Sequence, residues 1–139
     1  MSDEILLGYD GSDGAKHALG VAAGLAKKLD RKLVLVFAYE VSPVGGETLD
    51  LAASIHEHGA AVLEEGAAAA RNEGIEPELV IEHADSAEGL AQAAKERGAS
   101  MIVVGTRGNS TLKGLVLGSV SHKLLHLADV PVLVVPAPA

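Results

Sequence analysis

The sequence predicts an α/β fold, a single-domain, open, doubly wound parallel sheet that carries helices on both faces and is similar to a Rossmann fold. Five short apolar runs lack the polar alternation of a sheet with one wet face, and helical segments separate them. The 139 residues are enough for one full hydrophobic core and too few for two ordinary domains. We therefore expect one domain over residues 1–139.

The first half of the chain is predicted to alternate strand and helix twice. Ser12 follows a turn signal and is a suitable N-cap for a helix whose apolar residues recur at helical spacing as far as Leu29. Segment 39–47 contains proline and glycine and is interpreted as a loop. Gly59 and Gly66 weaken the second helix by about 1 kcal/mol each relative to alanine. The expected elements are a strand at 5–8, a helix at 13–29, a strand at 33–38 and a helix at about 49–72.

The second half continues the same alternation. Asp85 or Ser86 is expected to cap the third helix, and Gly98 to end it. Ligands of such sheets bind at the carboxyl ends of strands, where the strand order reverses. The turns after the first and fourth strands therefore face each other if those strands are neighbours. The expected elements are a strand at 78–82, a helix ending at 98, a strand at 101–104, a helix at 119–127 and a strand at 131–135.

Composition excludes several classes of function. The net charge of −8 opposes binding to nucleic acid or anionic lipid, and the 2% of aromatic residues is too little for a base-stacking platform. The absence of cysteine excludes disulfides and thiol chemistry. The start of the sequence does not look like a signal peptide, and no apolar stretch is long enough to span a bilayer. We expect a cytoplasmic protein without nucleic-acid or membrane partners.

A cluster of glycines and hydroxyls late in the chain predicts a phosphate site. Gly105 and Gly108 follow the fourth strand, and Gly118 opens the last helix, whose first turn holds Ser119 and Ser121. Glycine lets backbone approach a ligand, and a helix start offers free N–H groups and a positive dipole end. Any one of these glycines, taken alone, is better explained as a turn former than as part of a binding site. The sequence lacks a Walker A motif, and no G-x-G-x-x-G follows the first strand.

With these residues the sequence resembles the universal stress protein family. Its nucleotide-binding members carry G-x-x-G, nine residues and G-[S/T], which Gly105, Gly108, Gly118 and Ser119 match. The opening ILLGYDGS and the closing ADVPVLVVP are also similar to the family. The resemblance implies strand order 3-2-1-4-5 and ATP or a related adenine nucleotide as ligand. It also implies a homodimer, often formed through the last strand, here between Pro131 and Val135.

The resemblance also implies where the nucleotide lies. The base and ribose would contact the ends of the first, second and fourth strands, and the phosphates would contact the start of the last helix. One departure is the sequence His83-Ala84-Asp85, where many relatives have glycine after the third strand. The implied binding residues are Gly8, Tyr9, Asp10, Ala38, Val104, Gly105, Arg107, Gly108, Gly118, Ser119, Val120 and Ser121.

Several of these residues have simpler alternatives. Asp10 is as well explained as a turn former or helix cap as it is as a ligand, and Arg107 as a solvated loop cation. A divalent cation, Mg²⁺ or Mn²⁺, would relieve repulsion between nucleotide phosphates, although no carboxylate cluster marks a protein metal site. His122 and His126 stand four apart on a helix, but without a third ligand they are best explained as surface histidines.

The leading functional hypothesis is an ATP-binding regulatory module of the stress-response type with at most slow hydrolysis. No catalytic residue is assigned, because the sequence shows no convincing general base, Walker B acid or arginine finger. Two alternatives stay open. One is a genuine ATPase or phosphotransferase, and the other is a nucleotide-free dimeric interaction protein.

Overall fold

The computed structural model describes residues 4–40, 48–106 and 118–136. Strands and helices alternate along the chain, and each strand boundary lies within one residue of its predicted position. The elements are β1 (Glu4–Gly8), α1 (Asp13–Leu29), β2 (Lys32–Tyr39), α2 (Thr48–Asn72), β3 (Glu78–His83), α3 (Ser86–Arg97), β4 (Met101–Gly105), α4 (Ser119–Leu127) and β5 (Val132–Val135).

The five strands form one parallel sheet in the order β3-β2-β1-β4-β5, which confirms the predicted fold class and strand order. β1 lies at the centre, where Leu7 pairs with Leu35 of β2 and with Val103 of β4. The chain adds strands on one side of β1 and then on the other, so the order reverses between β1 and β4. The carboxyl ends of these two strands are therefore adjacent, which is the usual place for a ligand in this architecture.

Helices cover both faces of the sheet. Successive residues of β1 point to opposite faces, so Ile5 and Leu7 belong to the core beneath α1 and α2, while Leu6 belongs to the core beneath α3 and α4. All three are fully buried. Burial on both faces explains why the strands read as continuous apolar runs.

The helix ends follow local sequence signals. Ser12 caps α1, since its hydroxyl accepts a hydrogen bond from the Ala15 amide, and Asp85 caps α3 in the same way through the Glu88 amide. Gly98 ends α3, as predicted, and it does so in the left-handed conformation. Asp30 ends α1 in that conformation too, at φ 54°, which is uncommon for a residue other than glycine.

Helix α2 is unbroken across Gly59 and Gly66, and the contacts of these glycines explain their presence. A Cβ atom at Gly59 would lie 2.6 Å from Cδ1 of Phe37, and one at Gly66 would lie 2.8 Å from Cε2 of Tyr9. The two residues are seven apart and so lie on one face of the helix. The missing side chains let α2 lie directly against aromatic rings of the sheet, so these positions mark close packing, not a break.

An ion-pair network lies at the amino ends of the strands, on the opposite side of the sheet from their carboxyl ends. Arg97, the last residue of α3, donates hydrogen bonds from Nε and Nη2 to the two carboxylate oxygens of Glu4, both at 2.9 Å. It also pairs with Glu78 at the start of β3. These hydrogen bonds, led by those to Glu4, raise the pKa of Arg97 above its ordinary value. The network ties α3 to the amino ends of two strands.

Candidate functional site

A partly enclosed cavity of about 290 Å³ lies at the carboxyl edge of the sheet. It is bounded by the ends of β1, β2 and β4 and by the first turns of α1, α3 and α4, so it sits where the strand order reverses. Its lining residues are Gly8, Tyr9, Asp10, Ser12, Ala15, Val36, Phe37, Ala38, Ser86, Leu90, Val104, Gly105, Thr106, Gly118, Ser119, Val120 and Ser121.

Every predicted binding residue that the structure describes lines this cavity. Residues from the strand ends, such as Gly8, Ala38 and Val104, are brought together with Gly118 and Ser119 at the start of α4. Two further predicted residues, Arg107 and Gly108, lie outside the described residues.

Sequence reasoning missed several lining residues. Ser86 and Leu90 come from α3, and Ser12 and Ala15 from α1. All helices that follow a strand of a parallel sheet begin at the same edge as the cavity, so the first turns of α1 and α3 could have been expected there. Leu90 packs tightly over the end of β1, because a Cβ atom at Gly8 would lie 2.8 Å from Leu90 Cδ1.

The turn between β1 and α1 is closed by its own side chains. Oδ1 of Asp10 accepts a hydrogen bond from the Ser12 amide at 2.9 Å, and Oγ of Ser12 accepts one from the Ala15 amide at 3.2 Å. Asp10 is therefore a turn former, as one of the two sequence interpretations predicted. It still borders the cavity, so this bond does not remove it from the candidate site.

The start of α4 is different, because its N-cap is Gly118, and no described side chain caps this helix. The His122 amide donates to the Gly118 carbonyl, which is the first hydrogen bond of the helix. Helix geometry leaves the three preceding amides, those of Ser119, Val120 and Ser121, without an acceptor within the helix. These amides and the positive end of the helix dipole lie at the cavity, which is the arrangement that binds an anion.

The two hydroxyls of this turn do different things. Ser121 is 2% exposed, and its Oγ donates a hydrogen bond of 2.7 Å to the Gly105 carbonyl. That bond, with the one from the Gly118 amide to the Thr106 carbonyl, fixes α4 to the end of β4. Ser119 is exposed, so its hydroxyl is the more accessible of the two.

Tyr9 lines the cavity, but its ring packs against Gly66 of α2 and is part of the core. The residue is 3% exposed. Burial, followed by the nearby carboxylates of Glu65 and Asp10, raises the pKa of the Tyr9 hydroxyl. Its amide donates to the Val36 carbonyl at 2.9 Å, which extends the pairing of β1 and β2 to the cavity edge.

A salt bridge on the outside of the cavity links α3 to α4. Nζ of Lys123 lies 3.1 Å from Oδ2 of Asp85 and 3.4 Å from Oε1 of Glu88. The hydrogen bond from Lys123 is the main cause that lowers the pKa of Asp85, and the same bond raises the pKa of Lys123. Since Asp85 caps α3 and Lys123 belongs to α4, the pair connects two of the helices that begin at the cavity.

We expect this pair to contribute to stability only within a defined pH window. The pKa of Asp85 is lowered in the folded state, so its ionised form stabilises the protein at pH values above the ordinary pKa of 3.8. This contribution is lost as the pH falls through the folded-state pKa. The pKa of Lys123 is raised in the folded state, so its charged form stabilises the protein at pH values below the ordinary pKa of 10.5. This contribution is lost as the pH rises through the folded-state pKa. The melting temperature of Asp85→Asn, which keeps a capping side chain, should fall below that of the parent at pH 6 by a small amount because both groups are exposed. An equal difference at pH 2.5 would contradict this account.

Residues 4–40, 48–106 and 118–136 contain no group of three or more potential ligands placed to hold a metal ion. None of the helices in this part of the chain is long and apolar enough to cross a bilayer.

Comparison with known proteins gives a consistent result over nearly the whole chain. The model of the universal stress protein family matches residues 1–136. Universal stress protein YxiE of Bacillus subtilis is 34% identical over 147 aligned residues, which cover 97% of this chain and 99% of the relative.

Solved structures show the same fold. A protein of the universal stress protein family from Burkholderia pseudomallei is 33% identical, with a TM-score of 0.79 and coverage of 97% of this chain and 96% of that chain. A universal stress protein crystallised in complex with cAMP is 27% identical, with a TM-score of 0.76 and coverage of 97% of both chains. On the family match and the identity to relatives, this chain belongs to the universal stress protein family.

Proposed function

We propose that the cavity binds an adenine nucleotide, with ATP as the expected ligand, and that the protein is a nucleotide-dependent regulatory module of the stress response. The observation that carries the proposal is the start of α4. Ser12 and Asp85 cap α1 and α3 with their own oxygens, whereas α4 begins at Gly118 without a described side-chain cap and faces the cavity. An anion is the natural partner of the amides left in its first turn.

In this proposal the phosphates bind the amides of Ser119, Val120 and Ser121, and the nucleoside lies over the strand ends. Leu90 and Val104 offer apolar surface to the base and ribose, while Ala38 ends the wall formed by β2. The bond from Ser121 to Gly105 makes Ser121 a positioning residue, and the exposed Ser119 hydroxyl is the one available to a phosphate.

A relative of known structure supports the ligand class. The universal stress protein that resembles this chain at 27% identity was crystallised in complex with cAMP, which is an adenine nucleotide. The match to G-x-x-G, nine residues and G-S supports ATP, because this motif is the one carried by the ATP-binding subgroup of the family that the chain resembles. A divalent cation, Mg²⁺ or Mn²⁺, would bridge the phosphates and offset repulsion by a chain of net charge −8.

We expect hydrolysis to be slow at most. Asp10 is the only carboxylate among the described residues that line the cavity, and its Oδ1 accepts the Ser12 amide. A carboxylate used in this way is poorly placed to activate water, so the proposal assigns no catalytic residue.

Titration calorimetry with the untagged protein tests the proposed function. AMP and ATP should bind at one site per chain, and adenosine should bind at least about tenfold more weakly because it lacks the charge-assisted contacts to the helix start. Failure of AMP and ATP to bind, with or without Mg²⁺, would refute the proposal.

We also propose that the protein is a cytoplasmic homodimer that pairs through the last strand, between Pro131 and Val135. β5 is an edge strand, and Leu133 exposes 37% of its surface there. An exposed apolar edge strand favours pairing with another chain.

Introducing charge at this edge should separate the dimer. Leu133→Glu places a carboxylate in the proposed contact, so we expect sedimentation analysis to show monomer where the parent forms a dimer. Leu29→Glu is the matched control, because Leu29 is 49% exposed and belongs to α1, not to the edge strand. Dimers of equal stability in the parent and Leu133→Glu would argue against this interface.

A further inference from the structure

The outer surface of α4 carries two histidine rings in contact. His122 and His126 are four residues apart, one turn of the helix, and both side chains are exposed. Their ring centroids lie 5.2 Å apart, and the ring planes are inclined at 72°. The sequence alone favours ordinary surface histidines at these positions, and the ring separation adds a reason to consider a shared ligand.

That separation matches the requirement for chelation of a metal ion. Imidazole nitrogens bind Zn²⁺ at about 2.0–2.1 Å, usually in tetrahedral geometry. Two imidazoles that bind one ion at this Zn–N distance and at the tetrahedral angle have ring centroids about 5 Å apart. The ring separation of His122 and His126 is therefore close to the one that a shared ion requires, and both residues belong to one helix that fixes their spacing.

The local charges also permit a cation. Lys123 stands beside His122 in sequence, but its ammonium group pairs with Asp85 and Glu88 of α3. Its charge is therefore partly neutralised and is held on the side of α4 that faces α3. The chain as a whole carries a net charge of −8, which favours cations near its surface.

We propose that His122 and His126 form a bidentate surface site for a borderline transition-metal ion such as Zn²⁺, Ni²⁺ or Cu²⁺. The described residues supply no third ligand, so water completes the coordination. This site differs from the cation proposed to bridge nucleotide phosphates, which would be a hard ion held by oxygen atoms. The inference does not depend on nucleotide binding and is tested without a nucleotide.

The test is isothermal titration calorimetry, in which Ni²⁺ or Cu²⁺ is added to the untagged, nucleotide-free protein. We expect one ion per chain and tighter binding of Cu²⁺ than of Ni²⁺, as the Irving–Williams order requires. His122→Gln and His126→Gln should each weaken Ni²⁺ binding by at least about tenfold, and the double variant should be little worse than either, because both nitrogens are needed for a chelate. Since both side chains are exposed, the fold should not change, which circular dichroism checks.

His17→Gln is the matched control, because His17 is also an exposed helical histidine, located on α1. It should leave Ni²⁺ affinity unchanged. Equal losses in His17→Gln and His122→Gln, or unchanged affinity in His122→Gln and His126→Gln, would overturn the proposal and assign the binding to scattered imidazoles.

Discussion

Replacing Gly118 by aspartate is expected to weaken nucleotide binding strongly while stabilising α4. Gly118 has φ −65° and ψ 162°, an extended conformation that aspartate adopts without strain. Aspartate is among the best N-cap residues, so its carboxylate would accept hydrogen bonds from the first-turn amides and add favourable charge at the positive end of the helix dipole. The same carboxylate would occupy the proposed phosphate position and repel the ligand. We expect AMP affinity to fall at least about 100-fold, or about 2.8 kcal/mol.

Gly118→Asn is the matched control for this change. Asparagine has the same shape and also caps helices, but it carries no charge. It should weaken AMP binding less than aspartate does. The melting temperatures of both variants should be at least as high as that of the parent. If calorimetry finds that Gly118→Asp binds AMP as tightly as the parent, the phosphate does not bind at the start of α4.

Replacing Gly66 by leucine is expected to cause a large loss of stability. A Cβ atom there would lie 2.8 Å from Tyr9 Cε2 and 3.0 Å from Leu35 Cδ1. Tyr9 is 3% exposed and Leu35 fully buried, so neither can move aside into solvent. Overpacking of a close-packed core costs about 1–3 kcal/mol or more, and four added carbons place this variant near the upper end, at about 3 kcal/mol.

Gly20→Leu makes the same chemical change where there is room for it. Gly20 is exposed on α1, and a Cβ atom there would meet nothing within 4 Å. Because leucine has the higher helix propensity, this variant should be more stable than the parent by about 0.5–1 kcal/mol. Urea unfolding of both variants measures the difference, and equal stabilities would show that α2 does not pack on the Tyr9 ring as described.

The fold was predictable because its main signals are local. Residues 5–8 and 101–104 read as buried strands, since a strand covered by helices on both faces needs no polar residues. Ser12 and Gly98 marked helix ends through the chemistry of caps. The strand order came from the resemblance to a family, because apolar runs alone do not say which strands are neighbours.

Features that depend on distant contacts were not predictable in the same way. Glycine lowers helix propensity, so Gly59 and Gly66 looked like weak points of α2, and only the position of Phe37 and Tyr9 shows that the helix needs them. The sequence does not distinguish Ser121 from Ser119, because only the fold places the Gly105 carbonyl within hydrogen-bond distance of the Ser121 hydroxyl.

The central claim is that the amides at the start of α4 bind the phosphate of an adenine nucleotide. A crystal structure of the protein grown with AMP tests it most directly. Phosphate oxygens are expected within about 2.7–3.2 Å of the amide nitrogens of Ser119, Val120 or Ser121, with the adenosine over the ends of β1 and β4. Well-ordered AMP bound elsewhere on the protein, with this helix start occupied by water, would contradict it.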